Sequence, residues 1–118
     1  MAAHQPRIGL AAEDFVAARL VADGWEVLDR RWRGASGELD LVVLRGGQLR
    51  FVEVKARATR DSLGLESIDE RKQSRLVAAA EAWCDTHPSR GAELGFLVAL
   101  VSLCPDGWIV EWLDDAID

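Results

Sequence analysis

Glu38-Leu39-Asp40-Leu41-Val42-Val43-Leu44, Arg45-Gly46-Gly47-Gln48 and Leu49-Arg50-Phe51-Val52-Glu53-Val54-Lys55 read as two strands and the turn that joins them. Leu and Val dominate both runs, and Gly-Gly at the tip suits a two-residue hairpin loop, where positive φ is needed. That turn sets the register. Leu44 faces Leu49, Val42 faces Phe51, Asp40 faces Glu53 and Glu38 faces Lys55. Side chains two apart along a strand share a face, so Glu38, Asp40, Glu53 and Lys55 are expected together at the open end of the hairpin. A three-residue loop would shift the pairing by one and split that group across the sheet.

Upstream, Leu10 to Asp23 reads as a helix with Ala11, Phe15, Ala18 and Ala22 along its apolar stripe. Gly24 stops it, because glycine tolerates the left-handed conformation past a helix end. Trp25 to Arg31 reads as a strand and Arg33 to Gly37 as a loop. Downstream, Ser67-Ile68-Asp69-Glu70 has capping-box spacing. It opens a second helix that runs to about His87, ends at Pro88 and carries Leu76, Ala79, Ala80 and Trp83 on its apolar side. Leu94 to Leu103 is almost continuously apolar, as in strands buried on both faces of a parallel sheet. Pro105-Asp106-Gly107 marks a turn, and Trp108 to Leu113 a final strand hairpinned to the one before. The order α-β-β-β-α-β-β is an antiparallel meander followed by a helical crossover to a parallel strand. It predicts an α/β fold of three layers, a mixed sheet flanked by helices.

The 118 residues accommodate one domain, 1–118. With 49% hydrophobic and 29% charged residues the composition is that of a globular chain, which excludes a disordered tail, a collagen-like chain and a disulfide scaffold. The longest apolar stretch, Phe96 to Val101 and on past Ser102 to Cys104, is too short to span a bilayer. Met1 to Arg7 lacks the apolar core of a signal peptide. No membrane is therefore expected, and a bacterial-type cytoplasm is the simplest placement. Cys84 and Cys104 form neither a metal motif nor a disulfide framework and read as buried thiols. His4 and His87 have no partner spacing. The net charge of −6 argues at first sight against a nucleic-acid partner, but its distribution is uneven. Residues 30–75 hold eleven Lys or Arg and seven Asp or Glu, a net of +4, and the rest of the chain nets −10. Either these are solvated helix faces or the middle of the chain forms a polyanion-facing side.

Asp40, Glu53 and Lys55 carry the candidate chemistry. Two carboxylates about 5 Å apart repel unless something neutralises them, and Glu53 lies in an apolar strand where an unpaired charge is costly. Mg²⁺ or Mn²⁺ resolves both problems, since a hard cation takes two carboxylates and a backbone carbonyl and keeps several waters. Lys55, on the same strand face as Glu53, would point to the same place. There it could stabilise charge on a phosphate or help deprotonate an attacking water. The plainer alternative is a set of ion pairs: Glu38 with Lys55, Glu53 with Arg50 or Arg57, and Asp40 capping a loop. Arg30, Arg31 and Arg33 around Trp32 could clamp a nucleic-acid backbone and an unstacked base, or Trp32 could pack beneath the hairpin. Lys72 and Arg75, with Arg57, Arg60 and Arg71, flank the candidate site and could meet phosphates. Alternation places Trp108, Val110 and Trp112 on one face of the last strand; exposed at an edge, that face could support a homodimer.

Asp40 followed by Glu53-Val54-Lys55 resembles the PD-(D/E)XK nuclease signature. The wider run resembles the YraN family of uncharacterised bacterial proteins over about Gly9 to Trp83. That run comprises Ala12-Glu13, Arg30-Arg31-Trp32-Arg33, Gly37-Glu38-Leu39-Asp40-Leu41-Val42 and Phe51-Val52-Glu53-Val54-Lys55-Ala56-Arg57, then Lys72, Arg75 and Ala79. The resemblance implies a restriction-endonuclease-like fold akin to Holliday-junction resolvases, with sheet order 1-2-3-4-5 and the second strand reversed. It implies Asp40 and Glu53 as metal ligands, Lys55 as the catalytic lysine and Glu13 as a further acidic group approaching the metal. Glu38 and Arg57 would support these from one layer out. The chain departs from the family in two places. Arg31 stands where Asn is usual, and Glu93-Leu94-Gly95 stands where Arg-Phe-Asp is typical. The function expected is metal-dependent phosphodiester hydrolysis on DNA, branched or damaged. A non-catalytic nucleic-acid-binding module and a protein-interaction scaffold are the alternatives.

Overall fold

The computed structural model describes residues 4–35, 37–57, 70–88 and 91–114. Of the glycine pair at the central turn, Gly46 takes a positive φ of 59°, as a two-residue hairpin loop requires. The strands on either side, β2 (Gly37–Arg45) and β3 (Gln48–Arg57), are antiparallel in the expected register, with Arg45 opposite Gln48, Leu44 opposite Leu49 and Val42 opposite Phe51. β1 (Glu26–Gly34) pairs antiparallel with β2. β4 (Glu93–Cys104) lies parallel to β3, and β5 (Gly107–Asp114) antiparallel to β4. The five strands form one mixed sheet in the order β1-β2-β3-β4-β5. Two strands are reversed rather than one, because the short turn at Pro105-Asp106 leaves β5 no crossover and only an antiparallel partner.

The helices cover opposite faces. α1 (His4–Ala22) sets Ala12, Val16, Ala17 and Leu20 on Leu41, Val43, Val52, Ala99 and Val101. α2 (Glu70–Thr86) sets Ala79, Ala80 and Trp83 on Leu39, Val42, Leu49 and Phe51, while its Leu76 meets Val98 and Leu100. Burying these aliphatic and aromatic side chains is the main driving force for folding. The stripe read from α2 is the buried one. That of α1 is offset by one residue, roughly 100° around the helix. Ala11, Ala18 and Ala22 are exposed, and Phe15 packs at the flank with its ring 6.3 Å from that of Trp108. Three of the four side chains in the expected stripe are alanine, and Val16 and Leu20 decide which face goes in.

Two further readings are corrected. The loop expected from Arg33 to Gly37 is shorter: Arg33 and Gly34 belong to β1, and Gly37, opposite Gly34, opens β2. The first helix begins at His4 rather than Leu10. The capping box at Ser67 lies outside the described residues.

One irregularity positions the candidate site. Arg31 has φ of 50°, in the left-handed region that non-glycine residues seldom occupy. Around it Arg30 pairs with Leu41 and Trp32 with Leu39, so Asp40 is its opposite number. Arg30 and Arg31 reach α1, whereas Trp32 packs with the α2 cluster. Likewise Leu41 belongs to the α1 side and Leu39 to the α2 side. Residues two apart should share a face. Both strands therefore exchange faces at the same level, and Asp40 sits at the crossing.

Candidate functional site

Because Asp40 lies at that crossing, its side chain does not stand over the sheet as an ordinary strand residue would. The β2–β3 ladder ends at Leu41 opposite Val52. Continued two residues on, the antiparallel pattern would give the Val54 N–H to the carbonyl of Leu39. Instead Val54 N–H donates to Asp40 Oδ2 at 2.8 Å. The strands splay, and a carboxylate fills the gap between them.

Glu53 meets Asp40 there. Its side chain is 8% exposed and receives an ion pair from Lys72 Nζ at 3.0 Å. Burial, then the Glu53 charge, push the Asp40 carboxyl up to about 8, against the partial offset of the Val54 N–H. The proximity of the Glu53 carboxyl thus favours the protonated form of Asp40. Glu13 completes the acidic group from α1. Burial raises its pKa, offset by the nearby charges of Arg31 and Arg30. Arg31 Nε approaches Glu13 Oε1 at 3.3 Å, but the two are not aligned for a hydrogen bond, and that oxygen is buried without a hydrogen-bond partner.

A hard divalent cation suits this donor set, since it takes carboxylate oxygens and relieves their mutual repulsion. Among the described residues no three His, Cys, Asp or Glu side chains close on one point. Asp40 and Glu53 are the pair that could hold it, while Glu13 acts on Asp40 through its charge without closing on the same point. Lys55 follows Glu53 by two residues, so it shares that face of β3. It is partly exposed, and no ion pair holds it among the described residues.

The other expected residues fall into two groups. Glu38 does not face Lys55, because the ladder has already ended; it pairs instead with Arg33 across β1–β2 at 2.9 Å. Arg30 is joined to Asp14 and Arg31 to Glu13. The arginines read as a phosphate stripe are thus largely occupied by the protein's own acids. Lys72 is drawn to Glu53. Trp32 is half-buried against the α2 cluster, edge-on to His87, rather than presented as a stacking platform. Arg75 remains exposed beside a crevice of about 270 Å³ lined by Gly37, Glu38, Lys72 and Leu76. Here the strand turn and α2 come very close: a Cβ on Gly37 would lie 3.1 Å from the Arg75 carbonyl oxygen. The Arg57 side chain and Arg60 lie outside what the structure describes. Trp108, Val110 and Trp112 are partly buried against the cluster that α1 covers.

Sequence reasoning missed a second polar cluster at the far end of α2. His87 stacks on Trp83 with ring centroids 4.3 Å apart, and the Trp83 carbonyl accepts from His87 Nδ1 at 2.9 Å when that nitrogen carries the proton. Trp83 Nε1 donates to Asp29 Oδ2 at 3.2 Å. These contacts join α2 to β1 with no local spacing to announce them.

A family model described as "Uncharacterised protein family UPF0102" matches residues 12–101. A UPF0102 protein of Gloeobacter violaceus is 47% identical over 106 residues, covering 87% of this chain and 84% of its own. One from Synechococcus sp. is 45% identical over 102 residues, with 83% and 77% covered. Among solved structures, a repair endonuclease from Pyrococcus abyssi superposes with a TM-score of 0.48 at 16% identity, over 84% of this chain and 39% of that one. That structural likeness is too loose to argue from. No helix among the described residues is long and apolar enough to cross a membrane.

Proposed function

The chain belongs to the uncharacterised protein family UPF0102, and on that premise we propose that it is a divalent-cation-dependent nuclease on a restriction-endonuclease-like scaffold, hydrolysing phosphodiester bonds in DNA. One observation carries this reading: a buried carboxylate, Glu53, and a half-buried one, Asp40, lie together where the β2–β3 ladder ends, and burial and the Glu53 charge raise the Asp40 pKa. Such an arrangement is costly for stability and is typical of a site kept for chemistry.

Asp40 and Glu53 would hold Mg²⁺ or Mn²⁺. When bound, the ion supplies Lewis-acid polarisation of the phosphate and a more acidic water. The protein's own groups do the rest. Val54 N–H fixes one oxygen of the Asp40 carboxyl. Lys55, without an ion-pair partner among the described residues, offsets negative charge building on the phosphate. Arg75 at the crevice mouth supplies a backbone phosphate contact. The internal pairing of Arg30, Arg31 and Arg33 weighs against a module that binds nucleic acid by surface charge alone.

The test is incubation with Mn²⁺ or Mg²⁺ and duplex, single-stranded, flapped and four-way-junction DNA, plus RNA, with Lys55→Ala prepared in parallel. Metal-dependent cleavage by the wild type and its loss in Lys55→Ala is the expected result. Equal cleavage by both preparations, or none on any substrate, overturns the proposal.

A further inference from the structure

Resting on the cation-dependent reading above, we infer that Lys72 is an internal stand-in for the divalent cation, and that its ammonium and the ion compete for Glu53. Glu53 sits in β3 between Val52 and Val54, and its side chain is 8% exposed. A carboxylate so placed needs a counter-charge for the protein to fold at all. Lys72 provides one from the first turn of α2, with Nζ 3.0 Å from Glu53 Oε2.

The way Lys72 is held distinguishes it from a fixed structural ion pair. Its side chain is 37% exposed, and a lysine head is a point charge on a flexible four-carbon stem rather than a rigid fork. Beside it lies a crevice of about 270 Å³ lined by Gly37, Glu38 and Arg75, which leaves the stem room to move. The Asp14 and Glu13 pairs, by contrast, use guanidinium groups on β1 next to the left-handed residue. An ammonium and a divalent cation at one carboxylate repel each other strongly in a partly buried site. Lys72 therefore lets the site fold without metal and, by the same contact, weakens the metal's hold.

The measurement is Mn²⁺ binding by titration calorimetry, with thermal unfolding in the presence and absence of Mn²⁺, on wild type, Lys72→Met, Lys72→Gln, Lys72→Arg, Arg75→Ala and Asp40→Asn. Both neutral Lys72 variants should bind Mn²⁺ about ten-fold more tightly, since removing a like charge at close range lowers a Kd by that order. Their unfolding temperature should fall without metal and rise more steeply with it than the wild type's. Lys72→Arg and Arg75→Ala should bind as the wild type does. Unchanged or weaker binding in both neutral variants, with binding still lost in Asp40→Asn, overturns the role of Lys72 and leaves the site. Absence of Asp40-dependent Mn²⁺ binding in every protein overturns the site and this inference with it.

Discussion

The two ends of the β2–β3 hairpin are built from the same kind of strand and behave in opposite ways. At the closed end, Val42 and Phe51 face each other in an unbroken ladder and both lie in the α2 cluster. At the open end the ladder stops at Leu41 and Val52, and the next positions hold the half-buried Asp40 and the buried Glu53, close enough for the charge of one to act on the other. Apolar pairs pack and register follows. Carboxylates at the equivalent height cannot pack, and the backbone parts to let one of them accept a main-chain N–H. One end stabilises the fold, whereas the other draws on that stability to hold groups that water would separate.

This contrast can be broken most visibly by exchanging what each end does. Asp40→Asn, Glu53→Gln and Lys55→Ala should each reduce metal-dependent cleavage by about 10²–10⁴-fold, with the urea midpoint of Asp40→Asn no lower than that of the wild type. Phe51→Ala should do the reverse. It opens a void beside Trp83 and Phe96, so it should cost about 3–5 kcal/mol in urea unfolding while leaving Mn²⁺ affinity near that of the wild type. A stability loss in Asp40→Asn as large as that of Phe51→Ala would erase the distinction.

The pH dependence sharpens it. Asp40 has its ordinary value of 3.8 when unfolded, and burial with the Glu53 charge pushes it up to about 8 when folded. Between those values the folded state holds a proton that the unfolded state has lost. This group's contribution is therefore fully present at acid pH and is lost as pH rises through about 8. Urea unfolding from pH 4 upward should show stability falling toward pH 8, a slope that is flattened in Asp40→Asn and by saturating Mg²⁺. The smallest expected effect lies on β1. Arg31 occupies a left-handed conformation that Asn adopts more readily, and Asn is the residue usual in YraN-like sequences. Arg31→Asn should raise stability by about 0.5–1 kcal/mol, less whatever the Glu13 contact contributes. A loss of stability in thermal unfolding would mean that the Glu13 contact outweighs the backbone strain.

The closed end was legible because its determinants are local. Gly46-Gly47 sets the turn and the turn sets the register. The α2 stripe of Leu76, Ala79, Ala80 and Trp83 contrasts with charged neighbours and is the buried face. Asp40, Glu53 and Lys55 could be picked out as residues, and the chain's likeness to the YraN-like sequences agrees with its family match. Their geometry could not be read. The exchange of faces at Arg31 and Asp40 depends on two strands distorting together, and regular alternation extrapolates straight through it. Lys72 reaches Glu53 from another element, and Arg31 reaches Glu13 likewise, so no spacing along the chain records either pair. In α1, alanine on every side left the rotation of the helix to Val16 and Leu20.

The bond from Val54 N–H to Asp40 Oδ2 also gives the site its own clock. Ladder amides in the middle of this sheet are freed for hydrogen exchange only when strands separate, an event that approaches global unfolding in cost. The Val54 amide is shielded by one side chain, so rotation of that carboxyl suffices to expose it. Its exchange rate follows what happens to Asp40, whether a proton arrives, a cation binds or a substitution removes the acceptor. The Val54 amide, exchanging faster than its ladder neighbours, thus reports the state of the carboxylate pair while the rest of the sheet stays silent.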